Sequence, residues 1–208
     1  MGFGWLLVGY FFANVIPHPS LSIAMLAGYP LMIFGLWRLS PYYTRFYRCF
    51  FVSLLSLPFA VYFSLYGLSE FGLFTLAFLG GTVYVVVEWL YFTFSLWLHA
   101  MLLLAVSGLA VELRLYRHQS AALRNLVFMA LYGVLYPISK LPFLKDYGAY
   151  FALPLLLLRF LYVFLNVWLL FHCHRFICPE GDEWMPETTE KRSRSGRSLE
   201  QEEMNDER

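Results

Sequence analysis

Charged residues are scarce in this sequence and unevenly placed. They make up 14% of its 208 residues, whereas 60% are hydrophobic and 20% aromatic. A soluble domain carries roughly 25% charged residues, so a chain this apolar would aggregate in water. Five of its 15 basic residues and ten of its 14 acidic residues lie between Pro179 and Arg208. The preceding residues therefore have the composition of apolar spans joined by short loops.

The common catalytic and nucleotide-binding motifs are also missing. The sequence contains no phosphate-binding loop, no GxGxxG, no HExxH and no GxSxG. Aspartate occurs only at Asp146, Asp182 and Asp206, which excludes a pair of intramembrane aspartates. We therefore expect a protein that is not an enzyme, although Glu88 and His99 keep an intramembrane enzyme open as an alternative.

Cysteine is rare, and its three positions are Cys49, Cys173 and Cys178. Cysteines spread in this way do not form the framework of a disulfide-rich domain. Segment 172–183 gathers histidine, cysteine and acidic residues, but zinc sites usually combine two paired halves, and only one half is present here. We expect no metal and no cofactor, and we interpret Arg175 and the histidines as a cap on the carbonyls of a helix that ends at the membrane interface.

Long hydrophobic runs are what the sequence has in abundance. A helix needs roughly 20 apolar residues to cross the hydrocarbon core of a bilayer. The runs that approach this length are Gly2–Ile16, Leu21–Trp37, Phe50–Tyr66, Leu73–Leu113, Leu126–Ser139 and Tyr147–Phe171. They predict an all-α fold, a polytopic transmembrane helical bundle of six to seven spans over residues 1–178. Residues 179–208 cannot bury a core, so we expect a disordered, charged tail.

Loop charge predicts the orientation, since cytoplasmic loops collect Lys and Arg. The basic clusters are Arg38, Arg45 and Arg48, followed by Arg114, Arg117 and Arg124. Both clusters lie on the same side only if the run 73–113 crosses once, which gives six spans; a hairpin in that run gives seven. The lack of Gly, Pro or Asn between Thr82 and Ser107 favours one crossing. We therefore expect a multi-pass protein of the cytoplasmic membrane, with its N-terminus and tail in the cytoplasm.

Arg159 stands out because it lies near the middle of the last hydrophobic run. Placing an arginine there costs about 2.5–3.5 kcal/mol on insertion scales, and such residues usually face the interior of a bundle. Tyr162 and Asn166 follow on the same helical face. Glu88 is the expected counter-charge, and we predict that it pairs with Arg159.

The helix that carries Glu88 presents a matching polar face, because Tyr84 and His99 stand at helical spacing from it. Ala77 and Gly81, on the preceding turns, are expected to let this helix approach its neighbour closely. The candidate polar seam therefore comprises Tyr84, Glu88, His99, Arg159 and Asn166.

The predicted seam has a structural and a functional interpretation. Buried polar residues can fix the register of packed helices, which suits the leading hypothesis of a non-enzymatic accessory, anchoring or regulatory subunit. Intramembrane ionisable residues also line solute and proton paths, so a small-solute or ion transporter or channel is the alternative. A third interpretation assigns Glu88 to an interfacial aromatic belt. The expected partners are the lipid bilayer and a protein bound through the spans or the tail, and no nucleic acid.

Overall fold

The structure, a computed structural model, describes residues 2–14, 23–72, 80–141 and 148–177. These residues form six α-helices and no strand, which confirms the predicted all-helical fold. The helices are α1 (Gly2–Asn14), α2 (Ile23–Leu39), α3 (Thr44–Glu70), α4 (Thr82–Glu112), α5 (Tyr116–Ser139) and α6 (Gly148–Ile177). The predicted tail lies outside the described residues, so the boundary at residue 178 stays a prediction.

Four of the six described helices, α3 to α6, are long and apolar enough to cross a membrane. The α2 helix is a shorter apolar helix of 17 residues, and α1 has 13 residues. The prediction of six to seven spans is therefore matched only approximately. In the run 73–113, the described residues form the single helix α4 and not a hairpin, since no Gly, Pro or Asn interrupts it between Thr82 and Ser107.

The described helices form a closed ring in which each one packs against its neighbours in sequence and α6 packs against α1. Each helix runs antiparallel to the helices beside it. At the closure, for example, the early Gly4 lies beside the late His174, whereas the later Tyr10 lies beside the earlier Asn166. The ring therefore has two ends. We call the end with residues 71–72, 80–81 and 140–141 the outer end, following the predicted orientation.

The α1–α2 hairpin is the closest helix pair in the ring, and glycines make that approach possible. A Cβ atom added to Gly28 would lie 2.5 Å from the backbone nitrogen of Ala13, and one added to Gly35 would lie 2.5 Å from the backbone nitrogen of Leu6. On α1, a Cβ atom on Gly9 would meet the backbone of α2 in the same way. Small residues at such positions let helix backbones touch in a membrane. The glycine spacing thus brings α1 and α2 together.

Packing is tight in the inner half of the ring and loose near the outer end. The buried residues of α4 all lie between Leu98 and Ala110, although the helix begins at Thr82. On α5 the buried residues end at Tyr132, and on α6 they begin at Tyr162. The outer parts of α5 and α6 therefore leave a space between them, which holds the candidate site, whereas α4 and α5 stay in contact there through Glu88 and Tyr136.

The orientation gives a direct prediction. Six crossings place Arg117 and position 200 on the cytoplasmic side and Glu70 on the opposite side, because antiparallel helices alternate around the ring. Single cysteines at these positions, in a chain with the native cysteines replaced, should show position 70 labelled by an impermeant thiol reagent in intact cells. Positions 117 and 200 should be protected. Labelling of all three positions would contradict the six-crossing arrangement.

Candidate functional site

A cavity of about 530 Å³ lies between α5 and α6 near the outer end. Its lining on α5 and the residues that follow is polar, and on α6 it is mostly apolar. The lining residues are Tyr132, Tyr136, Ser139, Lys140, Leu141, Phe151, Ala152, Leu155, Leu156 and Arg159. Lys140 and Arg159 are the two charged residues that the structure describes in this lining, and both carry a positive charge. Its volume falls within the range of about 300–1,000 Å³ that is typical of small-molecule sites.

Arg159 lies deep in this cavity. It follows the start of α6 by 11 residues, which corresponds to about 17 Å along the helix. Its guanidinium group lies near the hydroxyl of Tyr132 on α5, and Lys140 lies above the ring of Tyr136, 5.5 Å from its centroid. The two cations therefore approach the same cavity from different depths.

The predicted ion pair between Glu88 and Arg159 is not formed in the described residues, because α5 lies between the two charges. Tyr136 donates a hydrogen bond of 2.9 Å to the carboxylate of Glu88. Arg159 faces Tyr132, whose ring centroid lies 5.7 Å from that of Tyr136. Two tyrosines thus link the charges, and Arg159 is left facing the cavity.

Asn166 and His99 lie together deeper in the ring, around Tyr10. The amide nitrogen of Asn166 donates a hydrogen bond of 2.9 Å to the Tyr10 hydroxyl. The ring of His99 packs edge-on against Tyr10 at 5.2 Å and against Tyr162 at 5.9 Å. His99 Nε2 and Asn166 Oδ1 are both buried without a protein hydrogen-bond partner. Two of the predicted seam residues, His99 and Asn166, therefore lie in one buried polar cluster. Side chains from α1, α4 and α6 form this cluster.

Tyr84, the fifth predicted seam residue, lies one turn before Glu88 on α4 and packs against α3. Its ring packs on Tyr66 of α3, with centroids 4.5 Å apart. Further along α4, Tyr91 accepts a hydrogen bond of 3.2 Å from Tyr29 of α2. The polar face of α4 thus meets a different helix at each depth, because it faces the centre of a ring. The predicted role of Gly81 is wrong, since a Cβ atom there would have no neighbour within 4 Å; Ala77 lies outside the described residues.

At the end of α6, where the sequence predicts a cap, His172 packs against aromatic side chains. The His172 ring stacks on Phe176 and contacts the edge of Trp168. His118 of α5 lies 6.2 Å from His172 between ring centroids. Cys173 is buried. Within the part of the chain that the structure describes, no group of three or more His, Cys, Asp or Glu residues could hold a metal ion.

Sequence reasoning missed the polar wall of the cavity. Tyr132, Tyr136 and Lys140 recur every four residues, which places them on one face of α5. That spacing was visible in the sequence. It does not stand out, because tyrosine is common throughout this chain, with 15 residues. The partner helix of Glu88 is therefore α5 and not α6.

No protein family model, no curated protein and no solved structure matches this chain. The functional argument therefore depends on the chemistry of the cavity and of the buried cluster.

The hydrogen bond between Asn166 and Tyr10 gives a prediction about stability. Asn166→Leu and Tyr10→Phe should each lower the free energy of unfolding, because each change leaves a buried polar group without its partner. The double variant should lose less than the two single losses together, with a coupling energy of about 0.6–1.7 kcal/mol as for other hydrogen bonds in membrane bundles. Unfolding in detergent measures all four proteins. Tyr66→Phe, at an exposed hydroxyl bonded to Glu70, is the control and should combine additively with Asn166→Leu.

Proposed function

We propose that this chain is a non-enzymatic membrane protein that binds an anionic ligand in the cavity between α5 and α6. We further propose that it acts as an accessory or regulatory subunit whose state depends on that ligand. The observation that carries the proposal is Arg159, a half-buried arginine in the membrane-spanning part of α6 that faces the cavity and has no carboxylate partner among the residues that the structure describes. An anion in the cavity would supply the missing counter-charge.

The contact made by Glu88 supports this interpretation. Glu88 already accepts a hydrogen bond from Tyr136, so the wall of the cavity is formed by the tyrosine and not by the acid. Tyr136 and Ser139 already donate their hydroxyl protons to Glu88 and to the Tyr136 carbonyl. The Tyr132 hydroxyl and the two cations can donate hydrogen bonds to a ligand oxygen. Hydrogen bonds to charged groups contribute about 1.5–3 kcal/mol each, which suits recognition of a phosphate or a carboxylate.

A small-solute transporter is the second candidate, favoured by the shape of the ring. The cavity lies near the outer end, whereas α4 is buried from Leu98 to Ala110 in the inner half. A carrier open to one side has this arrangement, and a subunit that only binds its ligand has it too. Uptake of radioactive phosphate into vesicles that contain the protein separates the two roles. Binding with uptake supports a carrier, and binding without uptake supports the subunit.

Binding itself is tested by thermal unfolding in a neutral detergent, with inorganic phosphate or dodecyl phosphate as the probe. A ligand present at 100 times its dissociation constant stabilises the folded state by about 2.7 kcal/mol. We expect at least one of these anions to raise the melting temperature of the wild type. Arg159→Gln should abolish the increase, and Arg159→Lys should retain part of it. Arg175→Gln, which removes an exposed charge at the far end of the same helix, is the matched control.

A purely structural role makes the opposite prediction. If Arg159 does not bind the anion, the double variant Glu88→Gln with Arg159→Leu should keep the anion response of the wild type. Retention of the full response in that variant would reject the proposed site.

A further inference from the structure

The residues that form the walls and the mouth of the cavity indicate the direction from which a ligand enters. Its lining comes from α5, α6 and the two residues after α5, and no residue of the other four described helices contributes. In a closed ring, a cavity bounded by two neighbouring helices opens toward the periphery. Lys140 and Leu141 extend the same cavity to the outer end. The mouth therefore faces both the bilayer and the outer interface.

The exposed side chains of α5 and α6 outside the cavity include large apolar residues. Leu153 and Leu157 of α6 are 63% and 60% exposed, and Val134 of α5 is 59% exposed. Leu156 lines the cavity and is itself 42% exposed. Leu156 thus connects the apolar wall of the cavity with the exposed apolar surface of α6. A hydrocarbon chain can follow that wall from the bilayer into the cavity.

The positions of the two cations indicate one head group between them. Lys140 follows Tyr132 by eight residues on the same face of α5, a distance of about 12 Å along the helix axis. Tyr132 faces Arg159, so the backbones of the two cations are separated by a similar depth. Long Lys and Arg side chains bury their stems and direct their charges toward polar groups. Side chains of this length can converge on one phosphate or carboxylate.

We infer that the ligand is an anionic amphiphile that enters from the outer leaflet of the bilayer. Its head group lies between Lys140 and Arg159, and its hydrocarbon chain lies against Phe151, Leu155 and Leu156. This inference rests on the proposed anion site and names its ligand class. A soluble anion is the competing source of the same chemistry, and the experiment below separates the two.

The test uses the full-length protein in nanodiscs of phosphatidylcholine with a trace of a phosphatidic acid that carries a photoreactive group on its acyl chain. Mass spectrometry locates the labelled residues. We expect labelling of α6 between residues 150 and 159. Unlabelled phosphatidic acid should compete for the site, whereas inorganic phosphate and additional phosphatidylcholine should not.

Variants connect the labelling to the charges. The double variant Lys140→Gln with Arg159→Gln should reduce labelling about tenfold or more, since each lost charge-assisted hydrogen bond corresponds to roughly that factor. The Arg159→Lys variant, which keeps the positive charge, should be labelled more than the Arg159→Gln variant and less than the wild type. Arg175→Gln should leave the labelling unchanged. Melting temperatures measured without ligand identify any variant that fails to fold. If a glutamine variant fails to fold, the comparison of Arg159→Lys with the wild type tests whether labelling depends on Arg159.

Each outcome has a distinct meaning. Competition by phosphatidic acid together with loss in the charge variants supports the inference. Competition by inorganic phosphate and not by phosphatidic acid overturns the amphiphile and leaves the proposed anion site standing. Labelling that phosphatidylcholine displaces equally well, and that the charge variants do not change, overturns both proposals.

Discussion

Replacing Gly28 or Gly35 with alanine is expected to lower the free energy of unfolding by about 2–3 kcal/mol each, because an added methyl group would collide with the backbone of α1. At both positions the nearest atom to the new Cβ would be a backbone nitrogen only 2.5 Å away. A backbone cannot rotate aside as the end of a side chain can. The two helices must therefore separate, and their contact surface is lost along its length.

The effect should extend beyond the hairpin. Because α1 also closes the ring against α6, a displaced α1 removes the neighbour of Asn166 and exposes the cluster around His99. The double variant Gly28→Ala with Gly35→Ala should consequently fail to form the closed bundle. Unfolding of the purified proteins in detergent measures the single variants, and trypsin sensitivity measures the double variant.

A matched glycine on α5 provides the control. A Cβ atom at Gly133 would lie 3.0 Å from the end of the Leu96 side chain, which can move. Alanine is also the better helix former by about 1 kcal/mol, so Gly133→Ala should leave stability unchanged or raise it slightly. Equal losses at Gly28, Gly35 and Gly133 would show that the hairpin glycines have no special packing role.

Hydropathy located the helices but not all of their ends. The α3 helix begins at Thr44 and the α5 helix at Tyr116, whereas the hydrophobic runs begin at Phe50 and Leu126. The additional turns carry Arg45 and Arg124, which a hydropathy count excludes. Such turns remain helical because long basic side chains reach water from the end of an apolar helix.

The candidate site was predictable in part. The position of Arg159 in the middle of a span and the polar face of α4 followed from composition and spacing alone. The helix that pairs with Glu88 could not be predicted in this way, because helical periodicity gives the face of one helix and not the identity of its neighbour. The ring order brings α5 between α4 and α6, and this order depends on the α1–α6 closure, for which the sequence carries no local signal.

The second large effect concerns the charge of the cavity. A cysteine at Ala152, which lines the cavity, should react faster with an anionic thiol reagent than with a cationic reagent of similar size. At about 10 Å and an effective dielectric constant near 20, each cation attracts a unit negative charge, and repels a unit positive charge, by about 1.7 kcal/mol. With two cations present, we expect a preference of tenfold or more.

The comparison requires two controls. Each rate is divided by the rate of the same reagent with a free thiol in solution, which removes intrinsic differences in reactivity. Leu153→Cys lies on the next residue of α6 but faces outward and does not line the cavity. It should react slowly with both reagents, because neither charged reagent enters the hydrocarbon region.

Reaction of the Ala152→Cys protein with the two reagents, with and without Arg159→Gln, tests the central claim most directly. If Arg159 and Lys140 make this cavity an anion site, the anionic reagent should be favoured about tenfold or more, and Arg159→Gln should remove most of that preference. Equal normalised rates for the two reagents, unchanged by Arg159→Gln, would contradict the claim.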